Sequence, residues 1–541
     1  MLNTLTLAAL LATTQAAARD PSTLTVLAEI SLERGDCKTA AESYAAAVPS
    51  GSVRLARRAS EVSLACEHLP AAWESVQRWR ALAPKDLDAA AVYATIALKL
   101  YRITDAQAAV QTVVESRDAD ANLAQLTASL LDEADAPAVL AALSGAIPVD
   151  GASPAILTLL GELALSAHDL RRAEQYARLA LKKNSELYAT RSLLAQLYAE
   201  RGDELNAVAA AQAAAQLDPK NGMFEVAQVL STLERFDKAR RELERLRGSG
   251  AADAEIERRL ALLAFQNGDL NEAQRRFERV DKRSEAGDAA QLYLADIAAL
   301  KGDEDAALAG YQKLVDSSVA VTARTRAAGL LLKRGRRNEA MKLVDDYASD
   351  HPESIFEMTL TKVHVLSEHG EMDSGLALLN ALLERYPEHP ALEYQRAVLL
   401  ERDGKVRESV SVLERLVAER PADPTLLNAL GYTLADHGMR LARAESLIQQ
   451  ALDVTPDNPA VIDSLGWVRL KRGDPRGAAQ ILSRAYALAR DSEIAAHWGE
   501  ALWKIGERKE ARRVWATALE REPDSKVLQT VIGRFVPVAK P

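Results

Sequence analysis

Three consecutive segments towards the C-terminal end repeat one pattern, and this period constrains the fold more than any other feature of the chain. They read NALGYTLADHGMRLARAESLIQQALDVTPDNP, DSLGWVRLKRGDPRGAAQILSRAYALA and AAHWGEALWKIGERKEARRVWATALEREPDS. Each opens with a Leu-Gly or Trp-Gly pair (Leu430-Gly431, Leu465-Gly466, Trp498-Gly499), followed by a turn glycine (Gly438, Gly473, Gly506) and a small residue (Ala444, Ala478, Ala511). Next comes a large apolar residue (Ile448, Leu482, Trp515) and then another alanine (Ala451, Ala485, Ala518).

The spacing has a mechanical reason. Two amphipathic helices of about a dozen residues form a hairpin when glycine supplies the left-handed backbone at the turn. Small residues let the paired helices approach to about 8–10 Å, and the large ones fill the groove between hairpins. This order of residues, repeating about every 34, is that of the tetratricopeptide repeat. Phasing on the small residue of the second helix extends the ladder to Ala40, Ala71, Ala106, Ala138, Ala173, Ala207, Ala239, Ala273, Ala307, Ala340, Gly375 and Ser409. The expectation is an all-α, right-handed α-solenoid of about 15 helix-turn-helix repeats.

A chain of 541 residues would ordinarily split into several globular domains, but a solenoid grows by stacking units that bury their apolar faces on their neighbours. The formal charge of −10 leaves no overall basic field for nucleic acid. The local run Lys333-Arg334-Gly335-Arg336-Arg337 falls at a turn and reads as a solvated hairpin tip.

Residues 1–18 carry an uncharged Leu/Ala/Thr-rich run ending in Ala16-Ala17-Ala18, the pattern of a signal peptide. No stretch is long and apolar enough to span a bilayer. Residues 19–150 read as looser, degenerate repeats that include Trp73 and Trp79 as groove fillers, and SGAIPVDGASP (Ser144 to Pro154) reads as a joint. Residues 151–533 form the main superhelix, with loops at RGSGAADAE and KRSEAGDAA, and residues 534–541 a tail. In YPEHPA, RPADPT and TPDNPA the first proline ends one helix, and Asp423 and Asn458 are placed to cap the next, with proline in its first turn.

Catalytic and ligand-binding constellations are missing. There is no HExxH and no GxxxxGK[ST], and His364 and His369 are not on one helical face, so neither a metal nor another cofactor is expected and the chain reads as a non-enzyme. Cys37 and Cys66 lie near the turns of successive hairpins. A disulfide needs their Cα atoms within about 7 Å, and export would favour it; in the cytoplasm they would be two free thiols. What is left is a surface. First helices line the concave side of such a superhelix, which by phase places Asn428, Tyr432, Asp436, Asp463, Trp467, Glu500 and Trp503 on a protein-binding wall.

STLTVLAEISLERGDCKTAAESYAAAV, RWRALAPKDLDAAAVYATIAL, LNALGYTLADHGMRLARAESLIQQALDVTPDNPAVIDSLGWV and AAHWGEALWKIGERKEARRVWATAL together resemble one family: bacterial envelope tetratricopeptide proteins that act as adaptors of a C-terminal processing protease. The resemblance implies an outer-membrane lipoprotein of Gram-negative bacteria that binds the protease and delivers cell-wall hydrolases to it. The family's lipid-bearing cysteine has no counterpart after the apolar run, which leaves a form free in the periplasm, or a different start, open. Two other classes compete with this reading. One is an assembly factor for an exopolysaccharide or outer-membrane secretion machine; the other is a cytoplasmic chaperone-docking protein using Asn428 in a carboxylate-binding groove.

Overall fold

The computed structural model describes residues 20–247, 253–281, 286–351 and 354–536. The expected signal peptide, the loop glycines Gly248 and Gly250, much of the two loops between hairpins and most of the C-terminal tail lie outside the described residues. Among the described residues there is no strand. Helices follow one another in fifteen hairpins, from Pro21–Glu33 with Cys37–Ala47 to Ser492–Lys504 with Arg508–Arg521, and a last helix Lys526–Phe535 closes the stack. This is the expected α-solenoid of helical repeats.

Every phasing residue sits near the start of the second helix of its own hairpin and is buried. Ala40, Ala106, Ala173, Ala207, Ala239, Ala273, Ala307, Ala340, Ser409, Ala444, Ala478 and Ala511 are fully enclosed. The reason is visible at the facing position. A methyl group added to Gly431 would lie 2.5 Å from Ile448 Cγ1 and 3.0 Å from the Ala444 carbonyl, and one added to Gly466 would lie 2.5 Å from Leu482 Cγ. Small residues on both helices of a hairpin therefore set the distance at which the large residue seals the groove. Ala136–Ala146 departs from the pattern, since it packs more on the preceding helix Ile103–Val114 than on its own partner Ala119–Glu133.

Helix boundaries follow local chemistry. Asp423 and Asn458 cap the helices that begin at Pro424 and Pro459, accepting from backbone N–H groups at 3.0–3.3 Å. His389 does the same for Pro390–Arg402, its Nδ1 accepting from the Leu392 N–H at 3.4 Å, a role the proline pattern alone assigned only to Asp and Asn. At the hairpin turns the residue after the glycine closes the helix end, as where the Asp474 N–H reaches the Arg469 carbonyl at 3.0 Å and Gly473 takes φ +86°. Glu67, Tyr101 and His168 adopt this left-handed conformation without being glycine, at roughly 1–2 kcal/mol each.

The chain divides into two compact units: residues 184–382, and a discontinuous unit of the residues before 184 with those after 382. Ser144 to Pro154 lies inside the second of these, between Ala136–Ala146 and Pro154–Ser166, where Lys183 Nζ donates to the Asp150 and Ala152 carbonyls at 3.0 and 2.6 Å. Within the discontinuous unit the hairpin turns of the N-terminal stretch meet the segments between hairpins of the C-terminal stretch. Arg385 donates to the Gly35 carbonyl at 3.4 Å. His389 Nε2 lies 3.8 Å from Glu67 Oε2. Tyr101 is half-buried beside the charges of Asp135, Asp423 and Arg420. The Asp457 N–H donates to the His168 carbonyl at 2.9 Å.

Cys37 and Cys66 are joined by a disulfide, with Cα atoms 5.3 Å apart. It ties the start of the second helix of the first hairpin to the turn of the next. Trp79 is fully enclosed and donates from Nε1 to Asp86 at 3.1 Å. Trp73 is half-buried, 4.9 Å from the Tyr93 ring with the Arg102 guanidinium 4.2 Å from its own.

Candidate protein-interaction site

The seven residues assigned by phase to the wall fall on the first helices of the last three hairpins, Pro424–Asp436, Pro459–Lys471 and Ser492–Lys504. Asn428, Tyr432, Asp436 and Trp503 are half-buried, whereas Asp463, Trp467 and Glu500 are each only 5% exposed. The row is therefore internally wired. Tyr432 donates from its hydroxyl to Glu493 Oε1 at 2.9 Å, which spans two repeats. Trp467 Nε1 donates to Asp436 Oδ1 at 3.1 Å, and Lys471 Nζ stands 3.3 Å from the same oxygen and 4.5 Å from the centre of the Trp467 ring.

Deeper in the row, His497 Nδ1 lies 2.9 Å from Asp463 Oδ2, with both side chains buried and the imidazole stacked on Trp467 at 4.0 Å. Burial disfavours the charged ring, but the Asp463 carboxylate outweighs it, so the His497 pKa is raised. Glu500 receives Lys504 at 2.9 Å and Arg534 at 3.1 Å. Burial and the Glu493 carboxylate push the Tyr432 phenol well up, which keeps it a donor at any ordinary pH. Trp503 caps the end of the stack against Trp515 and Phe535, with the guanidinium groups of Arg508 and Arg512 within 5.6 Å of its ring.

Asn428 stands apart from the others. Its Oδ1 is enclosed without a hydrogen-bond partner among the described residues. It helps line a cavity of about 390 Å³ where Asp135, Ser166 and His168 of the N-terminal stretch meet Tyr394, Thr455 and Asn458 of the C-terminal one.

His497, Glu493, Lys471 and Arg534 are the members of this network that the wall assignment missed. Their signal was present: His497 follows Asp463, and Arg534 follows Glu500, by 34 residues in each case, so complementary chemistry recurs at one repeat's offset. The same holds for the basic turn. Arg337 pairs with Glu371, Arg334 with Glu304 and Asp305, and Arg336 with Glu339, so the three arginines of the run are paired within their own and neighbouring repeats.

Among the described residues no group of three His, Cys, Asp or Glu side chains is arranged to hold a metal, and no helix is long and apolar enough to cross a membrane. What the row offers is a fixed array of aromatic rings and carboxylates on successive helices. The class that the fold defines is an α-solenoid of helix-turn-helix repeats. The tetratricopeptide repeat family model matches residues 226–273, 258–320, 360–424 and 394–460.

Over 213 residues, 39% of this chain, the sequence is 33% identical to the TPR repeat-containing protein PA4667 of Pseudomonas aeruginosa. The match spans 36% of that curated relative's length. Among solved structures, the thermophilic TPR protein TTC0263 of Thermus thermophilus is 25% identical, with 33% of this chain and 98% of that one covered and a TM-score of 0.31. A tetratricopeptide repeat protein of Parabacteroides merdae is 18% identical, with 46% and 98% covered and a TM-score of 0.34. Superpositions this loose carry no argument about partners.

Proposed function

We propose that this chain is a non-catalytic scaffold of the Gram-negative cell envelope, which binds a C-terminal processing protease and presents protein substrates such as cell-wall hydrolases to it. The observation that carries the reading is the array on the last three hairpins: Tyr432, Asp436 and Trp503 are partly open, and each is fixed in place, Tyr432 by Glu493, Asp436 by Trp467 and Lys471, and Trp503 by Trp515 and Phe535. A pre-ordered aromatic and acidic face loses little side-chain entropy when a partner docks. Holding protease and substrate on one solenoid raises their effective concentration for each other.

The Cys37–Cys66 disulfide supports an oxidising compartment such as the periplasm. A match to a protein of Pseudomonas aeruginosa, a Gram-negative bacterium, is in keeping with that setting. Capture from envelope extract tests the proposal. The wild-type chain should retain a processing protease and a peptidoglycan hydrolase, and Tyr432→Ala and Trp503→Ala should retain less of both. Recovery of neither by the wild type overturns it. The competing reading, an assembly factor for an exopolysaccharide or outer-membrane secretion machine, predicts that loss of the gene abolishes polymer export while hydrolase half-lives stay unchanged.

A further inference from the structure

The contact between residues 20–183 and 383–536 differs in kind from the contacts between neighbouring hairpins. Hairpins are joined by continuous apolar clusters, one running from Ala397 to Val531 and another from Ala28 to Ile96, and neither includes residues of the opposite stretch. The seam is instead held by backbone and charged groups: Asp457 with His168 and Leu170, Arg385 with Gly35, and His389 beside Glu67. It also borders a partly open cavity, in which the polar side chains of Asp135, His168, Asn428 and Thr455 lie beside Pro137 and Val461. Polar contacts with little shared apolar surface mark interfaces that part and re-form, whereas packed apolar cores do not. A second observation points the same way. Glu67, Tyr101 and His168 take the left-handed turn position filled by glycine in most hairpins further along, and all three lie at the seam. Glu234 does so in the other unit, so the substitution is not peculiar to the seam.

We infer that the seam is a reversible latch: the N-terminal turns and C-terminal loops separate and re-form while every hairpin stays folded. This goes beyond the envelope reading and does not depend on which partner is bound.

Thiol labelling of the full-length protein tests it. Thr455, 2% exposed, lines the seam cavity, and Ser409, fully enclosed, sits in a hairpin groove. Thr455→Cys and Ser409→Cys are near-isosteric, and Cys37 and Cys66, being bonded, do not react. A polyethylene-glycol maleimide too bulky for the cavity should modify T455C at least tenfold faster than S409C in native buffer. Adding Asp457→Ala should speed labelling of T455C further and leave S409C unchanged. Equal rates for the two cysteines would mean that the seam opens only on global unfolding, and overturn the latch.

Discussion

Asp457 caps a helix 287 residues away: its Oδ2 accepts from the Leu170 N–H at 3.2 Å, while its own N–H donates to the His168 carbonyl at 2.9 Å. Leu170 opens the helix Leu170–Lys183, whose first N–H groups find no carbonyl within the helix, and Asp169 accepts from the Arg172 N–H at 2.9 Å and from Arg172 Nε at 2.5 Å. Oδ1 of Asp457 also receives Arg484 at 2.7 Å. Asp457→Ala is therefore expected to cost about 1 kcal/mol. Hydrogen exchange should accelerate across residues 170–173 in that variant. Asp457→Asn, which keeps an acceptor, should restore most of the protection.

The spacing of paired helices predicts a steep cost for a small change. A methyl group on Gly499 would run into the indole of Trp515, which is fully enclosed and donates to the Ala496 carbonyl at 3.4 Å. Gly499→Ala improves local helix propensity, yet overpacking should dominate and destabilise the last hairpins by about 1–3 kcal/mol. Thermal unfolding of G499A, compared with Ala substitution at Gly533, which faces open space, measures the difference.

Much of the fold was legible in the sequence, because a solenoid is written locally. All fifteen phasing residues, from Ala40 to Ala511, lie near the start of second helices. The seam was not legible. Whether His168 meets Asp457 depends on small rotations summed over many hairpins, and no local pattern encodes that sum. The wall was legible as to helix but not as to exposure. Phase puts Asp463 and Glu500 on first helices, while their burial comes from residues one repeat on, His497 and Arg534, which close over them.

The disulfide should act locally. Cys37 and Cys66 close a loop of 29 residues, for which the chain-entropy argument gives about 3–4 kcal/mol. In a stack where each hairpin touches its neighbours, that loss falls on the first two hairpins. Cys37→Ala with Cys66→Ala should raise hydrogen exchange between residues 21 and 82 and leave the last three hairpins unaffected. Uniformly faster exchange along the chain would contradict this.

His389 makes the seam sensitive to acid. Burial, and then the Lys99 charge, push its pKa from 6.5 down to about 4. The folded protein thus binds fewer protons at this site than the unfolded chain between those values, and stability falls as pH drops through that window. The contribution is at most about 3 kcal/mol. His389→Asn retains a capping side chain and removes the titration. Its stability should decline less than wild type from pH 6.5 to 4 in parallel denaturant titrations.

His497 has the opposite sign. Its pKa is raised above 6.5 because the buried Asp463 carboxylate outweighs the cost of enclosing a charged ring. The folded state holds this proton more tightly than the unfolded chain, so the pair's contribution is fully present below about pH 6.5 and is lost as pH rises through the folded value. In Asp463→Asn the imidazole loses its hydrogen-bonded counter-charge and keeps only the weaker pull of Glu493 and Glu500, so burial favours its neutral form. D463N should be most destabilised relative to wild type below pH 6.5, by about 3–5 kcal/mol if the charged ring stays buried. The gap should narrow towards pH 9. Stability curves for the two proteins across that range, with the His497 ring followed by NMR, decide it, since a gap independent of pH would mean that the pair is not charged in the native protein.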